Sequence, residues 1–402
     1  MHTPPALSKR LTESLVARQE EHQWEQLIAT LLKRLELHPD EKAEAEREYE
    51  KLGESIARKL DLPRHDVEVF PQGSMRTQTT ISPRHPVKFD IDIFVKLTGP
   101  GYDHMDSETM FQAFGKALEG NEAVTGERVA KRRCWRLQYP NKPFYFDVTP
   151  AVRGTTAAGG ALRVRDPDTT WAPTNPKDFA EWFCNHAAER FEFAVSVKRS
   201  VVLEKASVEQ LPQEAVGIDD ILRRTVQLMK LHRDNMYHLA ADKHKEAQPI
   251  SVIIVTLVTE AYAELLKTHR HSFGSPLEVV LKLVEKMPEY IQRSGAKYSV
   301  PNPKLQLENF ADRWNFDDGA RAAEFKRWHA HLELDLEKLL YHGAKTAKES
   351  DIRQVFGAAG VEAWRASRPK ANILDGLIST AGSSGKSNPS APVKPGSSDT
   401  LG

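Results

Sequence analysis

Apolar residues recur at helical spacing near the start of the chain, as the positions of Leu27, Leu31 and Leu35 show. A period of three to four residues places these side chains on one face of an amphipathic helix. We therefore predict two helices within residues 8–60, with Asp40 as the N-terminal cap of the second helix.

The same period dominates the chain after Pro176. Helices are predicted at 177–190, 217–239, 249–268, 275–292 and 319–345. From about residue 373, Gly, Ser and Pro dominate and large apolar side chains become rare, a composition that is typical of disorder. The second half is therefore predicted to be a helical lobe followed by a disordered tail.

Between these helical regions, apolar and polar residues alternate with the period of a strand. Strands are predicted at 67–69, 89–97, 128–139 and 143–149, and helices at 72–80 and 107–119. Ser107 is the expected cap of the second of these helices. The mixture predicts an α+β fold, with N-terminal helices at 1–62, a mixed-sheet core at 63–175, a helical lobe at 176–372 and a tail at 373–402.

The strand at 89–97 carries two aspartates, Asp90 and Asp92, in an otherwise apolar run. Since a strand alternates its faces, both carboxylates leave the same face. Ionised carboxylates among Ile, Phe and Val cost several kcal/mol unless they are paired or bind metal. The alternative is an edge strand with a solvated polar face, but the residues around this pair favour a cation site.

Two further features accompany the aspartate pair. Gly73 and Ser74 precede it, and they offer a backbone that can approach a phosphate closely and a hydroxyl that can bond to it. Asp147 is again the lone charge of an apolar strand, although Pro150 makes a turn-forming role a reasonable alternative. A phosphate-holding turn with three carboxylates is what metal-assisted phosphoryl chemistry needs.

Composition limits the partners of the chain. It has 56 Lys and Arg against 56 Asp and Glu, so its formal charge is zero, which disfavours a protein that coats nucleic acid. Basic residues cluster in the runs 128–136 and 223–233, which suits contacts to a few phosphates. Cys134 and Cys184 form neither a disulfide scaffold nor a zinc quartet, and no apolar run is long enough for a bilayer, so a cytoplasmic protein is predicted.

The motif Gly73-Ser74, Asp90-x-Asp92 and a later Asp147 resembles the nucleotidyltransferase superfamily that is typified by DNA polymerase β. Within it, the chain is most similar to the bacterial cGAS/DncV-like nucleotidyltransferases (CD-NTases), the cyclic-oligonucleotide synthases of CBASS antiphage defence. The resemblance covers residues 10–345 in organisation. It implies a polymerase-β-like core and a C-terminal helical lobe of the oligoadenylate-synthetase type.

The resemblance also implies the site residues and the cofactor. Two Mg²⁺ ions, or Mn²⁺ as a substitute, would be held by Asp90, Asp92 and Asp147, which are the catalytic residues. Nucleotide contacts are implied for Gln72, Gly73, Ser74, Lys230 and Ser251. Met75, Arg76 and Thr77 would line the site, and the base-stacking aromatic stays open among Tyr145, Tyr237 and Tyr262. The other charges of the helix at 217–239, namely Arg223, Arg224 and His232, are expected on a solvated face.

The implied activity is synthesis of a cyclic di- or trinucleotide messenger from ATP, with GTP or a pyrimidine nucleotide as further candidates, and a downstream effector would bind the product. Two alternatives remain: transfer of NMP to RNA, protein or a small molecule, and a catalytically silent nucleotide-binding scaffold. A terminal Gly402 on a flexible tail resembles a ubiquitin-like C-terminus. It suggests a ubiquitin-ligase-like partner that would conjugate the enzyme.

Overall fold

The computed structural model describes residues 6–60, 62–81, 88–119, 127–155, 160–193 and 220–367. The predicted tail and Gly402 therefore lie outside the described residues. Residues up to Trp364 belong to one compact unit. No helix in the described ranges is long and apolar enough to cross a membrane.

The chain begins with three helices, where the sequence predicted two. They are α1 (Leu7–Arg18), α2 (Glu21–Arg34) and α3 (Pro39–Lys59). The extra break occurs because Gln19 takes a left-handed conformation with φ of 55° and ends α1. The cap prediction for α3 was also wrong: the side chain of His38 accepts from the Asp40 amide, while Glu41 accepts from the His38 amide, a reciprocal capping box.

The core alternates strands with short helices, as predicted. Its elements are β1 (Val67–Pro71), α4 (Gly73–Thr77), β2 (Phe89–Leu97), α5 (Pro100–Asp103), α6 (Ser107–Ala117), β3 (Arg128–Ala130), β4 (Trp135–Gln138), β5 (Phe144–Arg153), β6 (Leu162–Asp166) and β7 (Thr170–Thr174). Helix α4 is shorter than predicted, since Gln78 ends it with φ of 56°. Helix α6 is capped by the Asp106 side chain, which accepts from the Thr109 amide, and not by Ser107.

The strands form one mixed sheet in the order β1-β2-β5-β4-β3, with β6 and β7 continuing from β5. Strand β2 pairs antiparallel to β1 and parallel to β5, so it lies in the interior of the sheet. The predicted strand at 128–139 is two strands, β3 and β4. Strand β5 continues through Pro150 to Arg153, so a turn at Asp147 is excluded.

The second half is largely helical, as predicted. It also contains short β-hairpins that were not predicted. Its elements are α7 (Pro176–Ala188), α8 (Ile221–Tyr237), α9 (Asp242–Ala247), α10 (Ser251–His269), α11 (Pro276–Lys286), β8 (Gln292–Ser294), β9 (Lys297–Ser299), β10 (Pro301–Asn302), β11 (Leu305–Asn309), α12 (Ala320–Tyr341) and α13 (Glu349–Ser367). Helix α10 is apolar over most of its length, and 11 of its 19 residues are buried.

The N-terminal helices pack into two different hydrophobic cores. Leu15 of α1 and Trp24 of α2 are buried in the core of the helical lobe. Leu52 and Ile56 of α3 are buried with the apolar faces of β2 and β5. The N-terminal helices therefore connect the sheet to the helical lobe, and this brings α8 next to the turn between β1 and β2.

Candidate active site

The three predicted carboxylates lie on two neighbouring strands. Strand β2 runs parallel to β5, and their register pairs Asp92 with Asp147 and Asp90 with Tyr145. In β2 the aspartates alternate with fully buried apolar residues, so the predicted face assignment is confirmed. Adjacent strands lie about 4.8 Å apart, and the Asp92 and Asp147 side chains leave one face of the sheet side by side.

The turn after β1 lies against the same aspartates. The amide of Gln72 donates to the Asp92 carbonyl at 2.8 Å, which fixes the turn to β2. Gly73 follows with φ of +61°, and a β-carbon there would collide with Asp92 Oδ2 and lie 2.9 Å from Asp92 Cγ. Only glycine combines this conformation with so close an approach to a side chain. The backbone conformation and the contact with Asp92 therefore require glycine at position 73.

Ser74 is held by the threonine segment, which we define as residues Thr77–Thr80. The Thr79 amide donates to the Ser74 carbonyl at 2.9 Å. The Thr80 hydroxyl donates to Ser74 Oγ at 3.0 Å. Thr79 and Thr80 did not emerge from the sequence, because their role depends on the left-handed residue Gln78, which folds the chain back over α4.

The site concentrates negative charge. Burial, and next the repulsion of Asp90 and Asp147, raise the pKa of Asp92 to about 8. Burial, with Asp147 and Asp92 nearby, also raises the pKa of the Cys134 thiol to about 12. Carboxylate oxygens that repel one another in this way suit a hard divalent cation such as Mg²⁺. The donor set therefore fits the metal that the sequence predicted.

Arg136 supplies the local counter-charge. Its Nε and Nη2 donate to the two oxygens of Asp147 at 2.8 and 2.7 Å, and its guanidinium lies 3.9 Å from the centre of the Tyr145 ring. Hydrogen bonding to Asp147 raises the pKa of Arg136. Within the described ranges, no three His, Cys, Asp or Glu side chains are grouped around one metal position. Here the third carboxylate is paired with an arginine.

The sequence placed Arg136 only in a basic run. Its partner follows from the antiparallel register of β4 and β5, which sets Arg136 opposite Asp147. Opposite charges on paired residues of two strands are the available sequence signal, and they become visible only once the pairing is known.

The helical lobe contributes Lys230 from α8. This side chain is buried, and its Nζ donates to the Thr79 carbonyl at 3.1 Å. Burial and the charge of Arg233 lower the pKa of Lys230, while Asp90 and Asp92 oppose that shift. Lys230 therefore lies within electrostatic reach of the aspartates and touches the threonine segment.

Ser251 is linked to α8 through Arg233. It is the first residue of α10, and its Oγ accepts from Arg233 Nη1 at 2.9 Å. Arg233 also donates to the Pro249 carbonyl at 3.1 Å. A buried arginine thus links Ser251 to the end of α8 that carries Lys230, and the sequence had not singled it out for the site.

The prediction that Arg223, Arg224 and His232 lie on a solvated face of α8 was wrong. Arg224 and His232 are buried: Arg224 pairs with Glu36 at 2.7 Å, and His232 with Asp335 at 3.2 Å. Arg223 donates from Nε to the Thr77 carbonyl at 2.9 Å. These charges turn inward because the neighbouring elements supply partners, and helical periodicity cannot show those partners.

The three tyrosines that were candidates for base stacking lie in different parts of the fold. Tyr237 donates to Glu324 at 2.8 Å and Tyr262 to the Glu189 carbonyl at 2.9 Å, and both rings are buried in the helical lobe. Tyr145 remains on the aspartate face beneath Arg136. Of the residues expected to line the site, Met75 and Thr77 are buried and Arg76 is half-buried.

The segment that carries the paired aspartates resembles a known protein family. Residues 23–186 match the family of the Second Messenger Oligonucleotide or Dinucleotide Synthetase domain (SMODS). A curated relative, the c-di-GMP synthase of Roseivirga ehrenbergii, is 28% identical over 254 residues. That alignment covers 62% of this chain and spans 61% of the relative's length.

Solved structures share the fold over most of the chain. The Bradyrhizobium diazoefficiens CD-NTase CdnG in complex with GTP has a TM-score of 0.60 at 22% identity, covering 85% of this chain and 97% of that one. E. coli MS115-1 CdnC with ATP has a TM-score of 0.55 at 13% identity, covering 83% and 98%. The chain therefore shares the fold of these solved structures.

Proposed function

We propose that this protein is a Mg²⁺-dependent nucleotidyltransferase that joins nucleoside triphosphates into a cyclic dinucleotide messenger. The observation that carries the proposal is the register of Asp92 with Asp147 beside a turn at Gly73 that is bonded to the same strand. This arrangement places a phosphate-binding turn and a cation-binding face within one rigid sheet. A scaffold would have no need for two carboxylates beside a buried aspartate whose pKa they raise.

Asp90, Asp92 and Asp147 would hold the metal, which when bound neutralises the triphosphate and makes the acceptor hydroxyl more acidic. The chain's own residues then bind and orient the nucleotide. The Ser74 hydroxyl donates to a phosphate oxygen, and the Lys230 ammonium exchanges the Thr79 carbonyl for phosphate. Gln72 is buried beside this turn, and its side-chain Nε2 has no partner among the described residues.

Asp147 would exchange its hydrogen bonds to Arg136 for the metal. Arg136 would then present an unpaired guanidinium on the aspartate face, next to Tyr145. Such a group suits a second phosphate or the edge of a base, and this supports a site that takes two nucleotides. Ser251, held by Arg233, would complete the contacts from the helical lobe.

The comparisons support the choice of substrates to test first. The curated relative is named for c-di-GMP, and the two solved neighbours hold GTP and ATP. We therefore propose purine triphosphates, with GTP first, as substrates. The cyclic product would act through an effector in antiphage defence, as for the family that the sequence resembles.

The test is incubation of the purified full-length chain with each labelled NTP, and with all four together, in Mg²⁺. Small products that resist phosphatase, identified by mass spectrometry, support the proposal and give base identity and ring size. The control is the double variant Asp90→Asn/Asp92→Asn, which should make none. Labelled RNA or labelled protein instead of a small product would point to transfer onto a macromolecule, and no turnover of any NTP would overturn the enzyme proposal.

A further inference from the structure

Helix α8 contacts the threonine segment, which follows the phosphate-binding turn. Three side chains of α8 donate to backbone carbonyls of that segment: Arg223 to Thr77, Lys230 to Thr79 and Gln227 to Thr80. The distances to these carbonyl oxygens are 2.9, 3.1 and 3.4 Å. The donors lie on one face of α8, because positions separated by three or four residues share a helix face.

The threonine segment in turn fixes Ser74. Its backbone holds the Ser74 carbonyl through the Thr79 amide at 2.9 Å. The Thr80 hydroxyl donates to Ser74 Oγ at 3.0 Å, and its second acceptor, Met75 Sδ at 3.4 Å, is a weak one. A hydroxyl has one proton and can both donate and accept. Since Ser74 Oγ accepts from Thr80, its own proton is left to donate to another acceptor. A hydroxyl that already accepts a hydrogen bond is also a stronger donor.

We propose that Thr80 is a positioning residue that presets the Ser74 hydroxyl as a donor to the triphosphate, and that α8 holds Thr80 in place through the threonine segment. The inference rests on the proposed function, in which Ser74 contacts phosphate. It also explains how Lys230 can leave the Thr79 carbonyl for a phosphate without releasing the turn: Arg223, anchored by its ion pair with Asp220, keeps the segment attached.

Thr80→Val tests the relay, because it removes the hydroxyl and keeps the shape. If a bound nucleotide uses Ser74 equally in the ground and transition states, the apparent KM for NTP should rise about fivefold with kcat nearly unchanged. Thr80→Ser restores the hydroxyl and should restore KM. Thr268→Val is the matched control, since its hydroxyl donates to the Glu264 carbonyl on an exposed part of α10.

A double-mutant cycle separates a relay from a merely structural role. Ser74→Ala should raise KM by itself, and Thr80→Val in that background should raise it no further, because the hydroxyl it positions is gone. If the two effects on KM multiply, or if Thr80→Val leaves KM unchanged in an active enzyme, the relay is overturned.

Hydrogen exchange tests the anchor independently of catalysis. Arg223→Gln should speed exchange of the Thr79 amide, whereas Arg353→Gln, which removes an exposed ion pair on α13, should not. Unchanged protection at Thr79 in Arg223→Gln would overturn the anchoring role. A wild-type chain that consumes no NTP would refute the proposed function, and exchange at Thr79 would then decide the anchor by itself.

Discussion

Gly73 faces the Asp92 carboxylate so closely that a β-carbon on Gly73 would overlap Asp92 Oδ2. The contact follows from the pairing of β1 with β2, which brings the end of one strand beside the aspartates of the other. The phosphate-binding turn and the candidate metal ligand are therefore one unit. Changing either residue must disturb the other.

Gly73→Ala should reduce product formation at least about 100-fold, since displacement of a reacting group by an ångström has that effect. The left-handed conformation at φ of +61° adds about 1–2 kcal/mol of strain for a residue with a β-carbon. The melting temperature should therefore fall as well. Both quantities can be measured on the same preparation, by thermal melting and by NTP consumption.

The matched control is Gly101→Ala in α5. A β-carbon there would have no heavy atom within 4 Å, and Gly101 is not among the glycines with positive φ. Its activity and melting temperature should stay at the wild-type values. If Gly73→Ala behaves like Gly101→Ala, the turn does not approach Asp92 as described.

Asp92→Asn should change the pH dependence of stability in the absence of metal. The native state holds the Asp92 proton up to a pKa of about 8, whereas the usual value is 3.8. Between these pH values the native state binds a proton that the unfolded state has lost, so wild-type stability falls as pH rises. Asparagine does not titrate, and the variant should lack this decline.

The melting temperature of Asp92→Asn minus that of the wild type, in chelator, should therefore grow from pH 5 to pH 9. Addition of Mg²⁺ at pH 8 should stabilise the wild type and leave the variant nearly unaffected. Parallel melting curves across the whole pH range would show that Asp92 is an ordinary, solvated carboxylate.

Arg136→Gln should make the protein more dependent on metal. Loss of the guanidinium leaves Asp147 without its two hydrogen bonds, so the metal-free melting temperature should fall. The rise in melting temperature on addition of Mg²⁺ should exceed that of the wild type, because Asp147 no longer has to leave Arg136.

Arg128→Gln is the control for that variant. Arg128 also lies against an aromatic ring, 5.2 Å from the Trp135 centre, and pairs with Glu119, but it does not bond to Asp147. Its Mg²⁺ response should match the wild type. An equal Mg²⁺ response in Arg136→Gln and Arg128→Gln would mean that Arg136 does not compete with the cation.

The sequence predicted β2 from Phe89 to Leu97 with both ends correct, because strict alternation and flanking breakers are local signals. It also predicted the shared face of Asp90 and Asp92. What it could not predict is which strand lies beside β2. Register depends on contacts between distant residues, so the pairing of Asp92 with Asp147 appears only in the fold.

Other residues were missed for a related reason. Strands β6 and β7 were not predicted: β7 contains Pro173, which disfavours a strand, and β6 is only five residues long, although Arg163 and Arg165 alternate with Leu162 and Val164. Arg223 and its neighbours on α8 looked like a solvated charged face, yet tertiary partners turn them inward. Burial of a charge is decided by what faces it, and a single helix does not contain that information.

Lys230→Met gives the most direct measure of the contribution of α8 to nucleotide binding. Methionine keeps most of the buried volume of the lysine stem and removes the ammonium that bonds to Thr79. A charge-assisted bond to phosphate that is equal in the ground and transition states should appear in KM, which we expect to rise about tenfold or more while kcat changes less. Lys326→Met, on the exposed face of α12, is the control and should leave both constants unchanged. A wild-type KM in Lys230→Met, with product still formed, would show that this lysine only anchors the threonine segment and that the phosphate contact is made elsewhere.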